Sequence, residues 1–337
     1  RQSMSGHDTP NLTNCDVEPI HIPGSTQPHG CLLAGDISAA AIVRHSANAQ
    51  SLLGADGDLN GRQLRDVTGD ALAHNIRNAL ARTQEGGRSA LLFAQEGLDG
   101  RRYDIAVHRH NGSSIIEFEP ADETVDEPLE LSRSMLGRIS SITTIERLVR
   151  ESGRLIQAML GYDRVMIYQF GSDGAGKVVS EAKRPHLESF LGQYFPATDI
   201  PQQARVLYLK NPIRIISDID FERIPVEPVI DAEGEPLDLS FAHLRSVSPI
   251  HCEYLRNMGV RASMSISIIV DGTLWGLIAC HHYERRTLPM AQRVAAEIFG
   301  EFFSLHLNAL RHKHTLDAAT AARQALDTLL RQAVQVE

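Results

Sequence analysis

Short runs of alternating apolar and polar residues dominate the first third of the chain. Such alternation predicts β-strands, because successive side chains of a strand point to opposite faces. One interval, Gly69–Thr83, repeats its apolar residues at helical spacing and predicts an amphipathic helix. The predicted strands are Cys31–Ala34, Ala41–His45, Arg88–Gln95, Tyr103–His110 and Ser114–Pro120, the last three as an antiparallel meander.

Strands and helices are mixed in the second part of the chain. Two helices are predicted over Leu131–Thr143 and Thr144–Gly161, the second ended by its glycine. The predicted strands are Arg164–Phe170, Lys177–Ala182, Ile213–Ser217, Ala262–Val270 and Leu274–Tyr283. Both parts therefore predict an α+β fold with antiparallel sheets.

The dipeptide Asp271-Gly272 predicts the hairpin turn between the last two strands. A strict two-residue hairpin would place His281 on the face opposite Ser263 and Ser265. These three side chains face one ligand only if a β-bulge or a different loop intervenes.

From Pro289 almost to the end, the chain is predicted to be helical. Its apolar residues are Val294, Ile298, Phe302, Leu305, Leu316, Leu326, Leu329 and Leu330. A helix this long needs a partner, which predicts the seam of a parallel homodimer and a connector to a further domain. Packing on its own domain is the alternative up to about Leu310.

Two segments without regular periodicity divide the chain. Residues 1–29 form a polar arm interrupted by prolines and glycines, and residues 121–130 form an acidic linker. The length of 337 residues suits two domains. We therefore expect an arm (1–29), a first domain (30–120), a linker (121–130), a second domain (131–310) and the start of a connector helix (311–337).

Charge and composition exclude several classes of function. The chain has 33 basic and 42 acidic residues and no basic run, which argues against nucleic-acid binding. No apolar stretch approaches the length of a membrane span, and the first residues lack a signal-peptide core. The four scattered cysteines, Cys15, Cys31, Cys252 and Cys280, favour free thiols in a reducing cytosol. We expect a cytoplasmic piece of a longer protein, because the chain begins at Arg1 and ends within a predicted helix.

The stretch Phe195–Pro201 (FPATDIP) places one carboxylate, Asp199, between two prolines. Each proline keeps the preceding residue extended, and Pro201 can occupy the first position of a helix that includes Tyr208. A carboxylate just before a helix is stabilised by the free backbone N–H groups there. On the residues alone, Asp199 is therefore either a helix-capping acid or a ligand-binding group.

This stretch resembles the chromophore-pocket signature of phytochromes. Further motifs resemble bacterial phytochromes in the family's order, over about Asn11 to Leu310: residues 15–30 (CDVEPIHIPGSTQPHG), 162–168 (YDRVMIY), 245–251 (RSVSPIH), 254–259 (YLRNMG) and 275–282 (WGLIACHH). The resemblance implies a PAS domain followed by a bilin-binding GAF domain. It also implies that the amino-terminal arm threads through a GAF loop in a figure-of-eight knot.

The resemblance implies that the chain binds biliverdin IXα through a thioether between Cys15 and ring A. Without the resemblance, Cys15 would be a terminal thiol with no role. The implied chromophore-binding residues are Asp199, Met166, Tyr168, Phe195, Ile200, Pro201, Tyr208, Arg214, Arg245, Ser248, His251, Tyr254, Ser263, Ser265 and His281. The two arginines suit the two propionates, since guanidinium binds carboxylate bidentately.

A red/far-red photoreceptor is the implied function. Light would twist the bond between rings C and D, move ring D against Tyr168, Phe195 and His281, and alter the Asp199 segment. A PHY domain and an output domain, usually a histidine kinase, would follow in the longer protein. We expect no enzyme activity and no bound metal in the chain itself.

One position departs from the pattern of plant and cyanobacterial phytochromes. Those proteins attach their bilin through a cysteine immediately before the position of His251, where this chain has Ile250. Cys252 follows the histidine, about 100° further round a helix, and is a poor anchor. A secondary role for this thiol near ring A stays open.

Two other classes of function fit parts of the sequence. A GAF domain that binds a cyclic nucleotide would need a phosphate-binding cup and would leave Cys15 unused. A metal-dependent enzyme would use His251, His281 and His282 with acids. Adjacent histidines of a strand point to opposite faces, so His281 and His282 are poor joint ligands.

Overall fold

The computed structural model describes residues 19–124 and 128–334. Cys15 and most of the predicted arm lie outside the described residues. The helices are α1 (Ala49–Leu53), α2 (Leu64–Thr68), α3 (Asp70–Ala81), α4 (Pro128–Ile139), α5 (Ile145–Leu160), α6 (Gln202–Lys210), α7 (Pro249–Asn257) and α8 (Met290–Val334). The strands are β1 (Ser25–Thr26), β2 (Cys31–Gly35), β3 (Ile42–Ser46), β4 (Ala90–Glu96), β5 (Arg102–His110), β6 (Ser113–Pro120), β7 (Arg164–Phe170), β8 (Gly176–Lys183), β9 (Tyr194–Phe195), β10 (Ile213–Ile216), β11 (Ile224–Glu227), β12 (Ala262–Val270) and β13 (Thr273–His282). The predicted α+β class is confirmed.

The first sheet is antiparallel, with the order β1-β11-β3-β2-β6-β5-β4. It contains the predicted meander as β4, β5 and β6. Helix α3 buries its apolar stripe, which includes Leu72, Ile76 and Leu80, against one face of this sheet. Residues from the β11–α7 segment, including Leu237 and Leu239, cover the other face. The sheet therefore has a hydrophobic core on both sides.

The start of the described chain is held between two stretches of one long loop. Ser25 and Thr26 pair with Pro225 and Ile224 of β11 on one side. On the other side, the N–H of Gln27 donates to the Leu244 carbonyl at 2.8 Å. The predicted knot requires the arm to pass between two such stretches. Sequence patterns did not predict β1 or β11, because both depend on partners about two hundred residues away in the chain.

Six strands form the second sheet, in the antiparallel order β10-β12-β13-β7-β8-β9. One face packs on α4, α5 and α8 through a core that includes Leu148, Val165, Ile167 and Phe303. Helix α5 begins where the Thr144 hydroxyl accepts the Arg147 N–H, and ends at Gly161 with a positive φ of 74°. The opposite face of the sheet is free of these helices and borders the candidate site.

Two helices differ from their predicted positions. Helix α4 begins at Pro128, inside the predicted linker, and ends at Ile139. In α8 the residues that pack on the sheet are Phe299, Phe303, Leu307 and Leu310. Of the predicted apolar set, Phe302 is partly buried against the same core, whereas Leu305 is 71% exposed. Packing against the sheet decides which face is buried, and helical periodicity alone does not distinguish adjacent stripes.

Within the described residues, no helix is both long and apolar enough to cross a membrane. Helix α8 is 45 residues long. Over residues 311–332 its side chains are exposed, and they include both polar and apolar residues.

Candidate functional site

Two adjoining cavities lie on the face of the second sheet that α4, α5 and α8 leave open. They hold about 740 and 720 Å³ of empty space, part of it continuous with solvent. Six residues line both cavities: Asp199, Ile200, Tyr208, Arg214, His251 and Tyr254. The cavities therefore form one cleft between the sheet, the Phe195–Pro201 stretch, α6 and α7.

Asp199 ends a single 3₁₀ turn, Ala197–Asp199, at the centre of this cleft. As predicted, Phe195 lies in a strand and Ile200 is extended, with φ −129°. Pro201 is the N-cap of α6 rather than its first helical residue, because its ψ of 162° is extended. No side chain accepts a capping hydrogen bond at this end of the helix. The helix-capping interpretation of Asp199 is therefore wrong.

The Asp199 carboxylate accepts a hydrogen bond from the Tyr254 hydroxyl. Burial raises the pKa of Asp199 above its ordinary value, and the bond from Tyr254 partly opposes this rise. Asp199 is thus an acid whose charge depends on a single hydroxyl donor and on what enters the cleft.

Arg214 and Arg245 bring two guanidinium groups to the first cavity. Arg214 is partly buried and donates to the Ser246 carbonyl at 3.5 Å. Arg245 is 3% exposed and donates to the carbonyls of Leu239 and Ser240 at 3.4 and 3.2 Å.

Neither guanidinium forms an ion pair with a carboxylate of the described residues. The buried Arg245 Nε also lacks a hydrogen-bond partner there. Burial lowers the pKa of both arginines, and the nearby charge of Arg214 further lowers the pKa of Arg245. Since a buried, unpaired cation is costly, this end of the cleft fits a ligand that carries carboxylates.

Ser263, Ser265 and His281 share one face of the sheet. Ser263 pairs directly with His281, and Ser265 with Ala279. The strict hairpin register is broken by one extra residue in β13, Trp275, which lies between Leu274 (paired with Ile269) and Gly276 (paired with Ile268). The predicted conflict of faces is resolved by this bulge.

His281 is 5% exposed, and its Nδ1 has no hydrogen-bond partner in the described part of the chain. Burial lowers its pKa to about 3, and the positive charge of Arg164 contributes. His281 is therefore a neutral imidazole at physiological pH, with a free ring nitrogen beside the second cavity, which it lines.

Aromatic side chains form the wall next to His281. The rings of Tyr168 and Phe195 meet edge to face, with centroids 5.4 Å apart. Met166 shares the face of Tyr168 on β7, and its sulfur accepts a weak hydrogen bond from the Tyr168 hydroxyl at 3.9 Å. Met166 lines neither cavity. It belongs to the apolar cluster of Tyr168, Leu277 and Ala279 beside the second cavity, so its predicted place at the ligand stays a prediction.

Helix α7 begins with Pro249 at its first turn, as predicted, and presents His251 and Tyr254 to the cleft. Their rings stack, with centroids 6.1 Å apart. Burial lowers the pKa of His251 to about 4, and the charge of Arg214 adds to this effect. Ile250 lines the first cavity, whereas Cys252 lies in an apolar cluster with Leu255 and lines neither cavity.

The structure thus brings the predicted site residues together at one cleft, with Met166 in the apolar cluster beside it. Cys15 lies outside the described residues. The cleft is also lined by residues outside the predicted ligand-binding set: Ile20, Phe170, Pro196, Thr198, Ala204, Arg205, Leu207, Ile216, Val247, Ile250, Leu255, Met264, Leu277 and Ala279. Leu277 and Ala279 alternate with His281 on β13, so strand periodicity could have found them. Ile20 and Val247 lie in the motifs of residues 15–30 and 245–251, but no periodicity marks them as lining residues.

No group of three or more metal-ligating side chains occurs within residues 19–124 and 128–334. His281 and His282 point to opposite faces, as predicted. His282 Nδ1 lies 3.2 Å from the Asp163 carboxylate, away from the cleft. The described residues do not support the metal-enzyme interpretation.

Comparison with known proteins agrees with this architecture. The PAS fold model matches residues 15–121, and the GAF domain model matches residues 144–307. The chain is therefore a PAS–GAF protein.

Comparison with named relatives identifies the family to which this PAS–GAF protein belongs. The chain is 38% identical over 322 residues to a bacteriophytochrome of Pseudomonas aeruginosa, covering 94% of the chain and 44% of the relative. It is 35% identical over 307 residues to a bacteriophytochrome of Xanthomonas campestris pv. campestris, covering 89% and 48%. It is 30% identical over 343 residues to phytochrome A type 5 of Avena sativa, covering 87% and 68%. The chain belongs to the phytochrome family, and it spans less than half the length of the two bacterial relatives.

Proposed function

We propose that this chain is the chromophore-binding part of a red/far-red photoreceptor and binds biliverdin IXα covalently through Cys15. One observation carries the proposal: two desolvated guanidiniums without carboxylate partners in the described residues stand at one end of an apolar, aromatic cleft. A flat apolar molecule with two carboxylates satisfies both features. A linear tetrapyrrole with two propionates has this chemistry.

Each part of the cleft offers a group of the required kind. Arg214 and Arg245 would hold the propionates, and the hydroxyls of Ser248, Ser263 and Ser265 would add hydrogen bonds. His251 and the main chain at Asp199 would bind the pyrrole N–H groups through water. An ionised Asp199 favours a protonated, cationic pigment, because opposite charges nearby stabilise each other.

Attachment through Cys15 is consistent with the length of the arm. Ile20, five residues after Cys15, lines the first cavity beside Ser248 and Ile250. Five residues span at most about 18 Å, so the thiol is tethered within reach of the cleft whatever path the chain takes. A thiol on such a tether suits thioether formation better than Cys252, which is 5% exposed within the protein.

When bound, the bilin supplies the absorption of red light and the Z/E rotation about the bond that joins rings C and D. The chain supplies the walls at that end of the cleft: Tyr168 and Phe195 as packed aromatics, and His281 as a neutral hydrogen-bonding ring. Asp199, which accepts the Tyr254 hydrogen bond, lies between Phe195 and the start of α6 in the chain. A change in this contact would pass to the surface of the GAF domain.

The exposed part of α8 supports a parallel homodimer as part of the same proposal. Leu305, Leu316, Leu326 and Leu330 are each more than half exposed. Their spacings of 11, 10 and 4 residues match alternating positions of a seven-residue repeat, the pattern of a two-helix seam. A PHY domain, a histidine kinase output and a cytoplasmic location of the longer protein rest on the family resemblance alone.

The proposal is tested by adding biliverdin to the apoprotein and denaturing the product in acidic urea. Pigment should remain on the wild-type protein and on Cys252→Ser, and should be lost from Cys15→Ser. Pigment that survives in Cys15→Ser, or a protein that stays colourless, would overturn it. A colourless protein that binds a cyclic nucleotide would establish the other GAF-type function.

A further inference from the structure

The side chain of Gln27, in the TQPHG part of the arm, joins three backbone segments. Its Nε2 donates to the carbonyl of Ile215 at 2.8 Å and to the carbonyl of Arg245 at 3.3 Å. Its Oε1 accepts from the N–H of Ser217 at 3.2 Å. Carbonyls only accept and N–H groups only donate, so these partners fix the orientation of the amide. Gln27 is 1% exposed, which makes these bonds costly to lose.

Two of the three bonds complete the edge of a sheet. β10 is an edge strand of the second sheet, and the backbone groups of Ile215 and Ser217 on its outer side meet no further strand. The Gln27 amide takes the place of that strand, with one donor and one acceptor. The backbone N–H of Gln27 donates to the Leu244 carbonyl at 2.8 Å, so the residue is itself fixed beside Arg245.

The segments that Gln27 joins are those that carry the two guanidiniums of the cleft. Arg214 immediately precedes Ile215, and Arg245 is bonded through its own carbonyl. The two positive side chains repel each other, and long arginine side chains move toward water when their backbone allows it. A buried link between the two backbones opposes this separation.

We propose that Gln27 is a positioning residue whose amide holds Arg214 and Arg245 at the spacing that two carboxylates of one ligand require. Gln27 lines neither cavity, so it would act only through the arginines. This inference rests on the proposed bilin function, whose ligand carries two propionates.

The test compares biliverdin with its dimethyl ester, in which both propionates are masked. Both ligands are titrated in the Cys15→Ser background, so that a covalent bond does not drive binding to completion. Gln27→Met removes the amide at nearly constant volume. It should weaken biliverdin binding about tenfold or more, the effect of losing a well-placed charged hydrogen bond. Binding of the ester should change by less than about twofold, because the ester makes no use of the guanidiniums' charge.

Ser25→Ala is the matched control. Its hydroxyl makes a buried 2.7 Å bond to Ser246, so the variant loses an arm–loop contact without touching β10. It should affect both ligands equally. Equal weakening of both ligands by Gln27→Met would overturn the inference, since Gln27 would then support the pocket in general. Unchanged binding of both would also overturn it.

A second variant covers the case in which Gln27→Met does not fold. Gln27→Asn keeps the amide but shortens it by one methylene, so it cannot reach all three partners. It should show the same selective loss for biliverdin, with unchanged circular dichroism. An equal loss for both ligands contradicts the inference. Failure of the parent protein to bind either ligand would instead overturn the proposed function, and this inference with it.

Discussion

His281 lies directly opposite Ser263 on the neighbouring strand, so that both side chains face the cleft. The Trp275 bulge creates this relationship. Gly276, which follows the bulge, approaches β7 so closely that an added Cβ would lie 1.9 Å from the Tyr168 carbonyl oxygen. The absence of a side chain at Gly276 therefore permits the register that places His281 at the site.

The two adjacent histidines of β13 should respond differently to the same change. His281→Ala should alter the absorption spectrum of the bound pigment, because His281 faces the cleft. His282→Ala should leave the spectrum unchanged and lower the free energy of unfolding by about 1 kcal/mol, through loss of its contact with Asp163. Absorption spectra and urea unfolding of both variants check this. A spectral shift in His282→Ala alone would contradict the assignment of faces.

Tyr254→Phe should lower the pH at which the bound pigment loses its proton. The Tyr254 hydroxyl partly opposes the rise in the pKa of Asp199, so its removal should raise that pKa further. A less ionised Asp199 then stabilises the cationic pigment less. The measurement is an absorbance titration of the loaded protein, with His282→Ala as a control outside the cleft. A pigment pKa that stays constant or rises would show that Asp199 does not set it.

A buried ion pair joins the two domains at the first turn of α8. Arg293, 1% exposed, donates through both terminal nitrogens to the carboxylate of Glu119 on β6. Arg293→Met should lower the free energy of unfolding by about 3–5 kcal/mol, because it leaves Glu119 buried without its partner. Adding Glu119→Gln to this variant should recover part of the loss.

The exposed pair of Arg102 and Glu123, at 3.2 Å, supplies the control for this prediction. Arg102→Ala should change stability by less than about 1 kcal/mol. Similar losses in Arg102→Ala and Arg293→Met, measured by urea unfolding, would contradict a special role for the interdomain pair.

The buried histidines should make the apoprotein less stable as the pH drops below about 6.5. Burial lowers the pKa of His29 to about 4 and that of His108 to about 3. The unfolded chain protonates these histidines near 6.5 and the folded protein does not, so stability rises with pH between the two values. His108 is fully buried, and neither ring nitrogen has a partner in the described residues.

His108→Leu should therefore flatten this dependence. Between pH 7.5 and pH 5 the variant should lose about 2 kcal/mol less stability than the wild type, the contribution of one histidine. Asn78→Leu, on the exposed face of α3, removes no titratable group and should leave the slope unchanged. Parallel pH profiles for wild type and His108→Leu would contradict the buried neutral state of His108.

The sequence predicted local features of the fold more completely than long-range ones. The hairpin at Asp271-Gly272 and the strand Arg164–Phe170 follow from residues near one another, and both were found. A β-bulge in this hairpin was one of two predicted alternatives, but its position at Trp275 was not predicted, because it depends on contact between β13 and β7. β11 was missed because its four residues are a strand only through pairing with β3 and β1. The sequence also did not predict which face of α8 is buried, because contact with the second sheet determines that face.

The same distinction applies to the candidate site. Motif resemblance identified Arg214, Arg245 and His251 as residues of one site, and they do line one cavity. Met166, also predicted, does not line either cavity directly but packs in the cluster of Tyr168 and Ala279 beside the second one. Motif resemblance gave no role to Gln27, whose three partners come from two distant segments and become neighbours only in the folded chain.

Pigment uptake by the apoprotein tests the central claim most directly, namely that the cleft is built for a flat dicarboxylate tetrapyrrole. Biliverdin is titrated into the wild-type protein and into the Arg214→Met, Arg245→Met double variant, and red and far-red absorbance is recorded. The account predicts saturation at one pigment per chain in the wild type and binding at least about tenfold weaker in the double variant. Equal binding by both proteins, or no uptake by either, would contradict it.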